Sequence, residues 1–200
     1  MNIDQIEQVA HEYLADFKGH QEREPGWEYY HGRRVARISL WLAREMGIAI
    51  DPDVVYAGAL FHDIGKGAEP HNELGVTRAR ESLNHLCTPD ELNAICELIF
   101  NHNQRGKEPR FSDSVRIVQD ADVLDHVGQI GPWLSFYWSG SHNETFDHHI
   151  RFIEGEENAI TQKRMRDGLN FDLSRRVFDE RIAYEKQFFS QFKRIYLEGI

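Results

Sequence analysis

The run VVYAGALF (residues 54–61) is apolar on nearly all sides and ends directly on His62-Asp63. Asp51-Pro52-Asp53 opens it as a cap followed by a proline, and Gly65 and Gly67 break it, which predicts a helix from 51 to about 64. A helix without a polar face belongs at the centre of a fold. It carries a histidine and an aspartate toward that centre, and the rest of the chain must pack around it. The flanking sequence supplies helices to do so. Apolar residues recur at helical spacing over 3–18, about 27–46, roughly 72–86, 89–102 and 113–128, and in a long final segment, about 173–197. In the last of these, Phe178, Ile182, Phe189, Phe192 and Tyr196 form one stripe. No segment alternates with the period of a strand, and no repeat or low-complexity tract is present. The expected fold is all-α: a single domain over 1–200, compact to about residue 130, with the C-terminal helix packed on it. Residues 131–141 read as an aromatic loop, and 139–171 carries no clear period.

Composition narrows the function classes. Apolar residues at 40% and aromatics at 12% are too many for a disordered chain. Acidic residues outnumber basic ones 33 to 23, a net charge of −10, which argues against polymeric nucleic acid or an anionic membrane as partner. The longest apolar run, Val54 to Phe61, is far short of the roughly 20 residues needed to span a bilayer. The acidic N-terminus lacks a signal-peptide core. Cys87 and Cys96 fit neither a redox nor a zinc pattern, as expected of reduced thiols in a cytoplasmic protein.

Eleven histidines make any single one uninformative; the useful ones lie on inward faces. His31 shares a face with Val35, Ile38 and Leu42. His62 and Asp63 leave the central helix near the core. His102 extends the stripe Leu92, Ile95, Ile99, and Asp122 shares a face with Val115 and Val118. A buried carboxylate must be paired, protonated or bound to metal. An arginine pair is the alternative for either aspartate, with Arg34 or Arg116 as candidates.

The ordered set His31, His62-Asp63, Asp122 resembles the HD-domain metal-dependent phosphohydrolase superfamily. The match includes FHDIGK (61–66), HNELG (71–75) and VQDADVLDHVG (118–128), and spans about residues 27–130. The resemblance implies a helical bundle holding a divalent ion through His31, His62, Asp63 and Asp122. Asp122 aligns with the family's Ala-Asp ligand; Asp120 and Asp125 are expected on the helix surface or behind the ligands. Two imidazoles and two carboxylates without thiolate suit Mn²⁺, Fe²⁺, Co²⁺ or Zn²⁺, and Mg²⁺ less well. Asp63 and Lys66 are the expected catalytic residues. Lys66, Arg34, His71 and His102 are expected against substrate, with His71 and His102 also matching positions that hold a second ion in binuclear relatives. Some relatives place a glutamate three residues after the HD aspartate. Here that position is Lys66, so the general base is unassigned.

The implied activity is attack of metal-activated water on phosphorus in a small phosphorylated molecule, a nucleotide foremost. The absence of a GYP segment argues against cyclic dinucleotides. A di-iron oxygenase on the same ligands and a non-catalytic metal-stabilised sensor or partner-binding domain are the alternatives. The final aromatic stripe either caps the core or makes a homodimer. The aromatics of 131–141 read as packing against the last helix or as a wall for a base. Trp27, Tyr29 and Tyr30 pose the same choice. Arg105, Lys107 and Arg110 mark a possible basic lid over 103–112, and His148 and His149 are expected at the surface.

Overall fold

The computed structural model describes residues 1–105 and 111–199. Among them are ten α-helices and no strand: α1 (Ile3–Leu14), α2 (Trp27–Met46), α3 (Pro52–Phe61), α4 (His71–Leu83), α5 (Pro89–Asn101), α6 (Asp113–Asp125), α7 (Gly131–Ser141), α8 (Phe146–Ile153), α9 (Glu156–Asp167) and α10 (Asp172–Glu198). Contacts divide the chain into two units, Met1–Asp122 and Val123–Ile200.

In the first unit α3 is the hub. Val54, Val55, Ala57, Gly58, Ala59, Leu60 and Phe61 are all buried, and α1, α2 and α5 pack against it while α4 packs on α5. Two glycines set how near the neighbours come. A methyl carbon at Gly32 of α2 would lie 2.4 Å from the Leu60 carbonyl oxygen, and one at Gly58 of α3 would lie 2.4 Å from Leu98 Cδ1 of α5. Any side chain there would push the helices apart. Close packing therefore draws the α2 residue His31 and the ends of α3 and α5 together. The helix starts are locally encoded. Asp51 accepts from the amides of Asp53 and Val54, and Thr88 forms a capping box with Glu91 ahead of Pro89. α1 stops at Leu14, four residues before its predicted end. There the Phe17 amide turns back to the Leu14 carbonyl (3.2 Å).

The second unit has an aromatic core. Residues 131–141 form a helix, not the expected loop, with Pro132 in its first turn. Gly131-Pro132 reads as a stop signal, which hid the start of a new helix. Phe136 packs against Phe188, Phe189 and Phe192 of α10, the packing role read from the sequence. Phe146 of α8 stacks on Tyr196 at 3.7 Å. His149 is buried at 5% exposure rather than at the surface. It meets Ser139 Oγ through Nδ1 (2.8 Å) and lies beside the Phe136 and Phe189 rings. Glu185 of α10 accepts the Gly128 amide at 2.6 Å, and burial pushes its carboxyl up to about 7. Cys87 and Cys96 are free thiols, Cys96 buried and Cys87 half-buried.

Candidate metal centre

His62 and His102 occupy equivalent positions, the C-caps of α3 and α5. Each ring places Nδ1 2.7 Å from the carbonyl oxygen three residues back, Ala59 for His62 and Ile99 for His102. A carbonyl only accepts, so Nδ1 carries the proton and Nε2 presents its lone pair. Both Nε2 atoms face Asp63: His62 Nε2 is 3.4 Å from Oδ2, and His102 Nε2 is 3.5 Å from Oδ1. Backbone carbonyls thus fix these two tautomers.

His31, fully buried on α2, reaches the same place. Its Nε2 lies 3.2 Å from Asp122 Oδ1 and 4.0 Å from Asp63 Oδ2, while His62 Nε2 lies 3.9 Å from Asp122 Oδ1. The four residues predicted as ligands therefore converge. Several of their separations exceed the 2.7–3.2 Å of ordinary hydrogen bonds. Ligand atoms about 2.1 Å from one ion lie roughly 3 Å apart, so the set has the dimensions of a cation site. Among the described residues, His31, His62 and Asp63 form one group with ligand atoms within 4.8 Å of one another, and Asp63, His71 and His102 form a second. Asp63 belongs to both.

Electrostatics follow from that crowding. Burial pushes the Asp63 carboxyl up, but His62 and His102 beside it outweigh burial and hold it well below the usual range. Burial pushes the His102 imidazole down, against the pull of Asp63.

Lys66 Nζ lies 3.5 Å from Asp63 Oδ1. His71, at the start of α4, places Nδ1 3.1 Å from the Glu69 carboxylate, and its Nε2 accepts from Asn103 at 3.2 Å. Arg34 lies further back, with its guanidinium 4.8 Å from the Trp27 ring centroid. Trp27 stacks on His31, with ring centroids 5.6 Å apart and planes 12° apart.

Three features were not legible in the sequence. Asp122 has an arginine partner, but it is Arg105, which also donates to the Gln119 carbonyl. Of the two candidates named for that pairing, Arg116 pairs with Asp113. Asp120 and Asp125 are buried, at 0% and 2% exposure, which leaves the placement behind the ligands and not the surface one of the two expected. Glu28, one turn before His31, is 1% exposed. Burial raises its carboxyl, and the amides of Glu28 and Gly19 only partly offset this. Lys107 and Arg110 lie outside the described residues, so only Arg105 of the basic segment has a described position.

Residues 29–126 match the HD domain family model. Ribonuclease Y of Treponema pallidum (strain Nichols) is 29% identical over 133 residues, which are 64% of this chain but 22% of that protein; the chain spans about a fifth of it. The Bacillus subtilis protein YpgQ is 25% identical over 182 residues, 86% of each chain. Its crystal structure in complex with ADP superposes with a TM-score of 0.67, covering 99% of both chains at 20% identity. An HD-superfamily hydrolase from Bacillus thuringiensis superposes at 0.69, covering 98% of this chain and 97% of that one at 22% identity. These structures share the fold. The matched segment holds His31, His62, Asp63, His71, His102 and Asp122 in the order and placement described above, and through residues 29–126 the chain belongs to the HD-domain family.

Proposed function

We propose that the protein is a metal-dependent phosphohydrolase acting on a small phosphorylated molecule, a nucleotide foremost. One observation carries the reading: imidazole and carboxylate groups from α2, α3 and α6 converge, and a carbonyl sets the His62 tautomer so that its free lone pair faces Asp63. His31, His62, Asp63 and Asp122 would hold one divalent ion tightly, Mn²⁺, Fe²⁺, Co²⁺ or Zn²⁺ before Mg²⁺. Such an ion, when bound, supplies Lewis acidity to a phosphoryl oxygen and to an attacking water. The chain's own groups then have defined tasks. Lys66 neutralises charge on the phosphoryl group being transferred. His71 and His102 contact phosphate, or return a proton to the departing oxygen, and with Asp63 they form a weaker second cation position. Arg34 adds positive charge beside the centre. The ADP held by YpgQ supports a nucleotide as substrate. The free thiols support a cytoplasmic location.

The shared Asp63 of the two ligand groups also fits a second reading, a di-iron oxygenase. The test separates them. Protein stripped of metal is supplied with Mn²⁺ and a panel of nucleoside mono-, di- and triphosphates, and products are resolved by mass. The proposal expects Mn²⁺-dependent release of phosphate or pyrophosphate, lost in Asp63→Ala. No turnover with Mn²⁺, together with iron-dependent O₂ uptake, would replace it with the oxygenase.

A further inference from the structure

His71 differs from the other imidazoles of the centre in what its nitrogens meet. His62 and His102 turn Nε2 toward Asp63. His71 has both nitrogens engaged elsewhere. Its Nδ1 lies 3.1 Å from each oxygen of the Glu69 carboxylate, and its backbone amide donates to Glu69 Oε2 at 3.2 Å. A carboxylate accepts, so Nδ1 carries the proton and Nε2 holds the ring's one basic lone pair. That lone pair accepts from Asn103 Nδ2 at 3.2 Å.

The Asn103 amide is held in this direction. Its Nδ2 also donates to Asn72 Oδ1 at 3.0 Å, and its Oδ1 accepts from Asn72 Nδ2 at 2.8 Å. Asn72 Nδ2 donates in addition to the Phe100 carbonyl. Turning Asn103 over would set its oxygen against the His71 lone pair and the Asn72 oxygen. Close packing brings these partners together. A methyl carbon at Gly65 would overlap the His71 carbonyl oxygen, and one at Gly75 would lie 2.9 Å from Ile99 Cγ2. The first approach sets the start of α4 against the turn after Asp63. The second draws α4 onto α5, so that Asn72 meets Asn103 just beyond the α5 cap His102. Asn103 itself is exposed, so its side chain can swing outward without opening the core.

A lone pair engaged with a donor cannot bind a cation at the same time. Asp63, His71 and His102 offer ligand atoms within 4.8 Å of one another, and His71 can offer only Nε2. We propose that Asn103, braced by Asn72, sets the occupancy of this second cation position. While its amide holds His71 Nε2 the centre takes one ion, and a second binds only in competition with that hydrogen bond. The inference rests on the metal-dependent phosphohydrolase reading and specifies the metal count of its resting site.

The test counts Mn²⁺ on the full, metal-stripped chain by loss of the free ion's electron paramagnetic resonance signal. It compares the wild type, Asn103→Ala, His71→Ala and the double variant, with circular dichroism as the control for folding. Freeing the lone pair from one neutral hydrogen bond should tighten the second equivalent about three- to tenfold in Asn103→Ala, with the first unchanged within about twofold. His71→Ala should lose the second equivalent. In that background Asn103→Ala should gain nothing, which ties the effect to Nε2. A merely structural role for Asn103 predicts the opposite sign, because a loosened ligand binds less well. A second equivalent absent, unchanged or weaker in Asn103→Ala, or a gain that survives without His71, overturns the inference. The predicted uptake without turnover of any phosphorylated substrate would leave the inference standing and sink the phosphohydrolase reading. Mn²⁺-dependent turnover with second-ion binding unaltered in Asn103→Ala would do the reverse.

Discussion

His62 of the first unit and His149 of the second are both buried imidazoles, yet their surroundings are opposite. His62 gives Nδ1 to a carbonyl and turns Nε2 toward Asp63, with Asp122 and His31 around it. His149 meets a serine hydroxyl through Nδ1 and sits among phenylalanine rings. Burial lowers its proton affinity first, and Glu144 opposes only in second place. The difference teaches how to read a buried polar group. One imidazole is held down among apolar rings and fills a core. Several that meet carboxylates from separate helices form a site, because the crowded charges need a cation to settle them.

The largest expected effect breaks the first environment. Asp63→Ala should cut turnover by at least about a thousandfold. It should also abolish tight metal uptake, measured by elemental analysis after dialysis, with circular dichroism nearly unchanged. In the second unit the large effects are on stability instead. Phe178, 2% exposed, leaves a cavity when cut to alanine, so Phe178→Ala should cost about 3–5 kcal/mol in denaturant unfolding. Adding Mn²⁺ should shift the wild type and this variant equally.

A smaller effect depends on pH. The Glu185 carboxyl is raised from its ordinary 4.5 to about 7 in the fold. The folded protein therefore holds a proton that the unfolded chain releases at lower pH. This contribution to stability is fully present below about 4.5 and is lost as pH rises through about 7. Glu185→Gln should remove that dependence, narrowing the stability difference between pH 5 and pH 8 by on the order of 2 kcal/mol. Unfolding midpoints at the two pH values measure it; an unchanged difference would show that Glu185 titrates alike in both states. The smallest effect closes the comparison. His149→Phe should alter stability by no more than about 1 kcal/mol, whereas the same change at His62 should abolish tight metal binding.

The legible parts of the sequence were those with one-dimensional signals. α2 and α5 were readable from an apolar stripe bounded by Gly47 or by the Thr88-Pro89 start. His31, His62, Asp63 and Asp122 were readable because stripe and motif agree at each. α7 was not, since Gly131-Pro132 reads as the end of the preceding helix although the proline sits in the first turn of a new one. Glu28 was masked by its aromatic neighbours Trp27, Tyr29 and Tyr30, which suggested a wall for a base rather than a carboxylate buried beside His31. The choice of Arg105 for Asp122 is a contact across seventeen residues that no local pattern encodes.

The central claim is that His31, His62, Asp63 and Asp122 hold a divalent ion. Calorimetric titration of Mn²⁺ into metal-stripped protein tests it most directly. One tight equivalent in the wild type, absent in Asp122→Ala and His62→Ala while both remain helical, is the predicted result. No tight binding, or tight binding unchanged in both variants, would contradict it.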